Sequence, residues 1–107
     1  MSWDVYLAIN TGIKDCMVED VRNVTYNNGK IFRKALGGEG LGGLEGKNTS
    51  DALDSIRKAI EDIEANMGLY KELEPPNGWG GISDALDFLN KLYKDCKKHP
   101  LAKIKIV

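Results

Sequence analysis

Hydrophobic and polar positions alternate cleanly at the start of the chain. Trp3, Val5, Leu7 and Ile9 are separated by Asp4, Tyr6 and Ala8, the period of two expected of a strand buried on one face. Thr11-Gly12 closes that strand, and residues 17–26 are rich enough in valine, threonine and tyrosine to return as a second. Val18 and Val24 share parity there while Val21 does not, which predicts a bulge or a break. The pattern then turns helical. Asn27-Asn28-Gly29 is turn and cap chemistry, Ile31, Phe32, Ala35 and Leu36 fall on one side of a short helix, and Gly37 stops it.

Residues 37–46 contain six glycines around Leu41 and Leu44 and are expected to form a mobile loop. Asn48, Thr49 and Ser50 offer caps for a second helix with an apolar stripe of Leu53, Ile56, Ile60, Ile63 and Met67, followed by a further turn over 69–73. A third helix is expected over 82–98. Its face consists of Ile82, Ala85, Leu86, Leu89, Tyr93 and Cys96, widened by Phe88 and Leu92, and His99-Pro100 ends it. Ala102, Ile104 and Ile106 then alternate with Lys103 and Lys105 as a closing strand whose outward lysines protect a sheet edge. The order β-β-α-α-α-β predicts an α+β fold: a single two-layer domain over 1–107, with about three strands covered by three helices.

Composition changes this picture little. The 107 residues are 42% hydrophobic and 29% charged, ordinary for a globular chain, and the net charge of −1 disfavours a dedicated nucleic-acid binder. Cys16 and Cys96 form no C-x-x-C pair, so reduced thiols are expected. No apolar run approaches the roughly 20 residues of a membrane span, and no signal-peptide layout is present, so the expected location is the cytoplasm.

Motifs for chemistry are incomplete. Gly38-Glu39-Gly40-Leu41-Gly42-Gly43 spells G-x-G-x-x-G, but it follows a helix where the dinucleotide fingerprint follows a strand. Cys96 and His99 are spaced for one helix face yet lack the further ligands that zinc requires. Asp84 and Asp87 resemble a carboxylate pair, but acidic residues in a first helical turn complement the dipole without catalysis. The basic run from Lys91 to Lys105 has the same kind of explanation, at a helix C-terminus and an edge strand. No enzyme, cofactor or metal site is expected.

Two stretches ask for more than packing. In Pro75-Pro76-Asn77-Gly78-Trp79-Gly80-Gly81 an indole sits among glycines before a helix whose first N–H groups a phosphate could reach. In the other stretch, Asn23, Thr25 and Asn27 alternate toward one side, with Tyr26 and Asn28 between and beyond them, and Lys30 and Arg33 follow as anion partners. Asx-turn and cap bonding at a strand-to-helix corner explains the polar residues equally well.

At Asn23-Val24-Thr25-Tyr26-Asn27 and Asn77-Gly78-Trp79-Gly80 the chain resembles a group of small phage- and prophage-encoded proteins, in which N-x-T-x-N follows an N-terminal strand and N-G-W-G precedes the last helix. The resemblance implies a phage setting and carries over no catalytic residue. By analogy of size and setting, the resemblance implies a protein that acts by occupying a host protein or a nucleotide signal used in antiviral defence.

The leading expectation is thus a non-enzymatic binder, alone or as a homo-oligomer, that sequesters a small anionic nucleotide-like ligand in the host cytoplasm. Its site would comprise Asn23, Thr25, Tyr26, Asn27, Asn28, Lys30, Arg33, Asn77, Trp79 and Gly80. The alternative is a protein–protein interaction module that inhibits a host protein, with Trp79 as anchor. A third reading makes the indole a plug between helix and sheet.

Overall fold

The computed structural model describes residues 1–107. Strands β1 (Ser2–Asn10) and β2 (Asp15–Thr25) form an antiparallel hairpin, and β3 (Lys103–Ile106) pairs antiparallel with the other edge of β1, giving the order β2-β1-β3. The odd valine spacing of β2 has a definite cause. Register moves from Val5↔Arg22 to Tyr6↔Asp20 and again from Leu7↔Glu19 to Ala8↔Met17, which leaves Val21 and Val18 as extra residues in two bulges. Each bulge reverses parity, so a spacing of three returns Val18, Val21 and Val24 to the same core.

The helices are α1 (Gly29–Leu36), α2 (Thr49–Ala65), the short α3 (Met67–Lys71) and α4 (Ile82–Lys98). With the sheet they make the α+β fold that the sequence predicts, with α3 standing for the extra turn expected near 69–73. Val5, Leu7 and Ile104 of the sheet, Ile56 and Ile63 of α2, and Phe88, Leu89 and Leu92 of α4 belong to one cluster of 21 buried residues. No helix is long and apolar enough to cross a membrane.

Two local expectations are corrected and a third is extended. The buried stripe of α2 is Ala52, Ile56, Ala59 and Ile63, with Leu53 and Ile60 at its margin and Met67 47% exposed. Alanines weigh little in a hydrophobic pattern, so Ala52 and Ala59 do not stand out in it although both are buried. Second, the glycine-rich segment is not a loose connector. Residues Gly40–Leu44 form a 3-10 turn that buries Leu41 and Leu44 and rests on α1. Gly40 has φ +65°, and a Cβ there would lie 3.0 Å from Arg33 Cγ.

Third, the outer edge of β3 is covered by backbone as well as flanked by lysines. Ile104 N–H donates to Lys47 O (2.9 Å), Gly46 N–H donates to Ile104 O (2.8 Å), and Asn48 bridges to Lys103.

Candidate functional site

The site begins where β2 becomes α1. Thr25 Oγ1 accepts the Asn27 N–H (3.2 Å), which turns the chain into the 3-10 helix Tyr26–Asn28 and directly into α1. Beneath this corner runs a column of aromatic rings. Tyr26 packs on Trp3 (centroids 4.5 Å apart), Trp3 meets Phe32 at 6.0 Å, and Phe32 meets Phe88 at 5.6 Å. Tyr26 nevertheless stays 42% exposed, so one part of its ring is anchored and another is free.

The glycine–tryptophan turn docks against the back of the corner. Asn28 is fully buried: its Oδ1 accepts the Gly81 N–H (2.7 Å) and its Nδ2 donates to Asp84 Oδ2 (2.8 Å). Asp84 Oδ1 is in turn 2.6 Å from the Arg22 guanidinium. Glu74 Oε2 accepts the Ile82 N–H (2.9 Å). The N-terminus of α4 is therefore capped by side chains from elsewhere in the chain, including a carboxylate. This narrows the expectation that its glycines leave the first N–H groups open to a phosphate, since the Gly81 and Ile82 N–H groups are already taken.

Glycine is needed here for two reasons. Gly80 and Gly81 have φ +92° and +122°, and a Cβ on either would come within 2.5 Å of Asn28 Oδ1 or Glu74 Oε2 respectively.

In front of the corner lies a cleft of about 280 Å³. One wall is Tyr26, Asn27, Gly29, Lys30 and Arg33, and the other is Glu72, Leu73, Glu74, Pro75 and Pro76. Because Gly29 has no side chain, the Arg33 guanidinium lies across it, 3.3 Å from where a Cβ would be, and the Trp3 ring comes within 3.8 Å of the same point. The charges in the cleft are unmatched. Of the three arginines, Arg22 and Arg57 form ion pairs and Arg33 forms none; Lys30 and Glu72 are likewise without an ionic partner. A larger groove of about 480 Å³ lies beyond Glu74, lined by Met67, Lys71, Ile82, Ser83 and Leu86, and it lacks such a convergence of free polar groups.

The sequence-predicted residues thus divide. Tyr26, Asn27, Lys30 and Arg33 share the cleft, whereas Thr25, Asn28 and Gly80 form the contact behind it. Asn28 has both ends of its amide engaged inside the protein and positions the turn instead of facing solvent. Asn23 faces β1, where its Nδ2 donates to Ser2 Oγ (2.8 Å), Trp3 O (3.1 Å) and Asp4 Oδ1 (2.8 Å), so it does not share a side with Asn27. Asn77 makes an Asx turn, its Oδ1 accepting the Trp79 N–H (3.0 Å). Trp79 is 74% exposed and lies outside the cleft lining, which excludes the reading of a buried plug.

Sequence reasoning missed the opposing wall. Glu72 and Glu74 flank Leu73 just before the two prolines, and that acidic, stiff segment was the available signal. The groups considered for chemistry lie elsewhere. Burial, and secondarily the neighbouring charge of Asp95, pushes the Cys96 thiol up to about 12. His99 Nε2 sits 3.1 Å from Glu19 Oε1. No three His, Cys, Asp or Glu side chains are grouped as a metal set would require. No protein-family model matches the chain, and no curated protein or solved structure is significantly similar to it.

Proposed function

We propose that the protein is a non-enzymatic binder of a small, anionic, nucleotide-derived ligand, held in the cleft between the Tyr26–Arg33 corner and the Glu72–Pro76 wall. The observation that carries this reading is the unpaired cationic pair Lys30 and Arg33 beside a half-exposed tyrosine braced from below by Trp3. Tyr26 offers a face for a base, while Lys30 and Arg33 meet phosphate. The phage resemblance extends the reading to sequestration of a defence signal in the host cytoplasm, where stoichiometric capture is enough and no turnover is required.

Small molecules released by heating the purified protein and identified by mass spectrometry test the proposal. The expected finding is a phosphorylated nucleoside compound. Titration calorimetry with that compound should show an affinity loss of about tenfold or more for Arg33→Ala, as for other hydrogen bonds to charged groups. Equal affinity for wild type and Arg33→Ala would remove the cleft from consideration.

Exposure of Trp79 favours the second reading, an interaction module that inhibits a host protein through an aromatic anchor. Trp79→Ala separates the two. It should leave stability within about 0.5 kcal/mol of wild type, as exposed substitutions do. Loss of a stoichiometric protein partner with nucleotide binding intact would favour the module, and loss of nucleotide binding would make Trp79 a lid residue of the cleft.

A further inference from the structure

We infer that the cleft selects a single nucleoside phosphate whose base presents two adjacent N–H donors, the pattern of guanine, and that Glu72 is the residue that reads them. The inference rests on the nucleotide-binding reading above and deepens it.

The cleft carries both signs of charge on opposite walls. Lys30 and Arg33 come from α1, while Glu72 and Glu74 come from the segment before the prolines. Glu74 is already engaged as the acceptor for the Ile82 N–H, which leaves Glu72 as the free carboxylate. A ligand that is anionic throughout, such as pyrophosphate, would face repulsion from that wall. A ligand with an anion at one end and donors at the other satisfies both walls at once.

An ionised carboxylate only accepts hydrogen bonds, and it has two oxygens to do so. Among the common bases, guanine alone sets two donors side by side, N1–H and the N2 amino group. Adenine and cytosine place their amino group beside an acceptor nitrogen, and uracil and hypoxanthine flank their N–H with a carbonyl. Glu72 therefore rewards guanine twice, meets an acceptor in adenine, cytosine and uracil, and finds only one donor in hypoxanthine.

Size narrows the ligand further. At about 280 Å³ the cleft is at the lower limit of small-molecule sites, which start near 300 Å³. It suits one base and its phosphate, with little room to enclose a cyclic dinucleotide. Asn27, whose side-chain amide has no partner in the protein, is free to donate or accept at the remaining base edge.

Titration calorimetry with GMP, IMP, AMP, UMP and pyrophosphate on wild type and Glu72→Gln tests this. IMP differs from GMP only by the missing N2 amino group. Wild type should prefer GMP to IMP by about tenfold or more. Glu72→Gln should bring GMP down to the IMP level while leaving IMP affinity within about twofold. Wild type that binds GMP and IMP alike, or Glu72→Gln that keeps the preference, would overturn the role of Glu72 while the nucleotide reading stands. Failure of every nucleotide to bind at millimolar concentration would overturn both. Glu72 is exposed, and a thermal melt of the variant confirms that it folds.

Discussion

Replacing Asn28 by alanine probes the joint on which the cleft is built. The side chain is fully buried and holds two segments that are 53 residues apart, through the Gly81 N–H at 2.7 Å and the Asp84 carboxylate at 2.8 Å. Alanine leaves the Gly81 N–H buried without an acceptor, which costs about 1–3 kcal/mol. The second bond is partly compensated, because Asp84 keeps Arg22 at 2.6 Å, so its loss adds only about 1 kcal/mol. The expected destabilisation is about 2–4 kcal/mol. At this chain length about 4 °C accompanies each kcal/mol, so the melting temperature should fall by about 8–16 °C.

Far-UV circular dichroism melts at one fixed protein concentration measure this directly. Asn27→Ala is the control, since Asn27 is exposed and contributes only its backbone N–H to the corner; it should melt within about 2 °C of wild type. If Asn28→Ala melts as close to wild type as Asn27→Ala does, the buried amide is not what joins corner to turn, and the account of the site's construction fails.

Three further outcomes are expected. Gly80→Ala should cost about 2 kcal/mol or more in chemical denaturation, because φ +92° is strained for an L residue and the new methyl would press on Asn28 and Thr25; wild-type stability would show that the turn shifts freely. The hydrogen bond from His99, with Lys98 and Lys91 adding, holds the Glu19 carboxyl below its ordinary value of 4.5 despite partial desolvation. With the folded pKa below the unfolded one, this interaction stabilises above about pH 4.5 and is lost as pH falls through the folded value, so Glu19→Gln should flatten the acid limb of a stability–pH curve and leave its alkaline limb alone. Finally, a thiol reagent at pH 8 should modify Cys16 in the native protein and reach Cys96, buried and pushed up to about 12, only in denaturant; two fast thiols would contradict its burial.

Patterns that report burial on one face were legible from sequence alone. The alternation of β1, the 82–98 helix and the closing strand all stand, since strong periodicity leaves few alternatives. Even the defect in β2 was visible, because valines at 18, 21 and 24 break strand alternation and predict a bulge or a break, of which the structure has bulges. What escaped was long-range pairing. That Asn28 would cap a helix beginning at Ile82, or that Glu74 would do so from the other side, depends on partners more than fifty and only eight residues away. No local propensity encodes such contacts. The same holds for the glycine-rich segment, where two leucines among six glycines look weak until α1 is placed beside them.

The proposed receptor role of the cleft is supported by the division between engaged and free polar groups. Arg22, Asp84, Asn28 and Glu74 bond to one another or to the backbone amides of Gly81 and Ile82, and Pro75 and Pro76 stiffen the facing wall. Around that closed network Asn27, Lys30, Arg33 and Glu72 are left with no ionic partner or side-chain hydrogen bond, though they sit at the rim of the same cavity. A scaffold already satisfied need not reorganise when a ligand arrives, so little ordering cost is set against the new contacts. Substitutions should accordingly separate into two groups: those in the network lower the melting temperature, and those at the rim lower affinity with the melt unchanged. A rim substitution that unfolded the protein, or a network substitution that weakened binding without affecting stability, would mean that structure and recognition are not partitioned in this way.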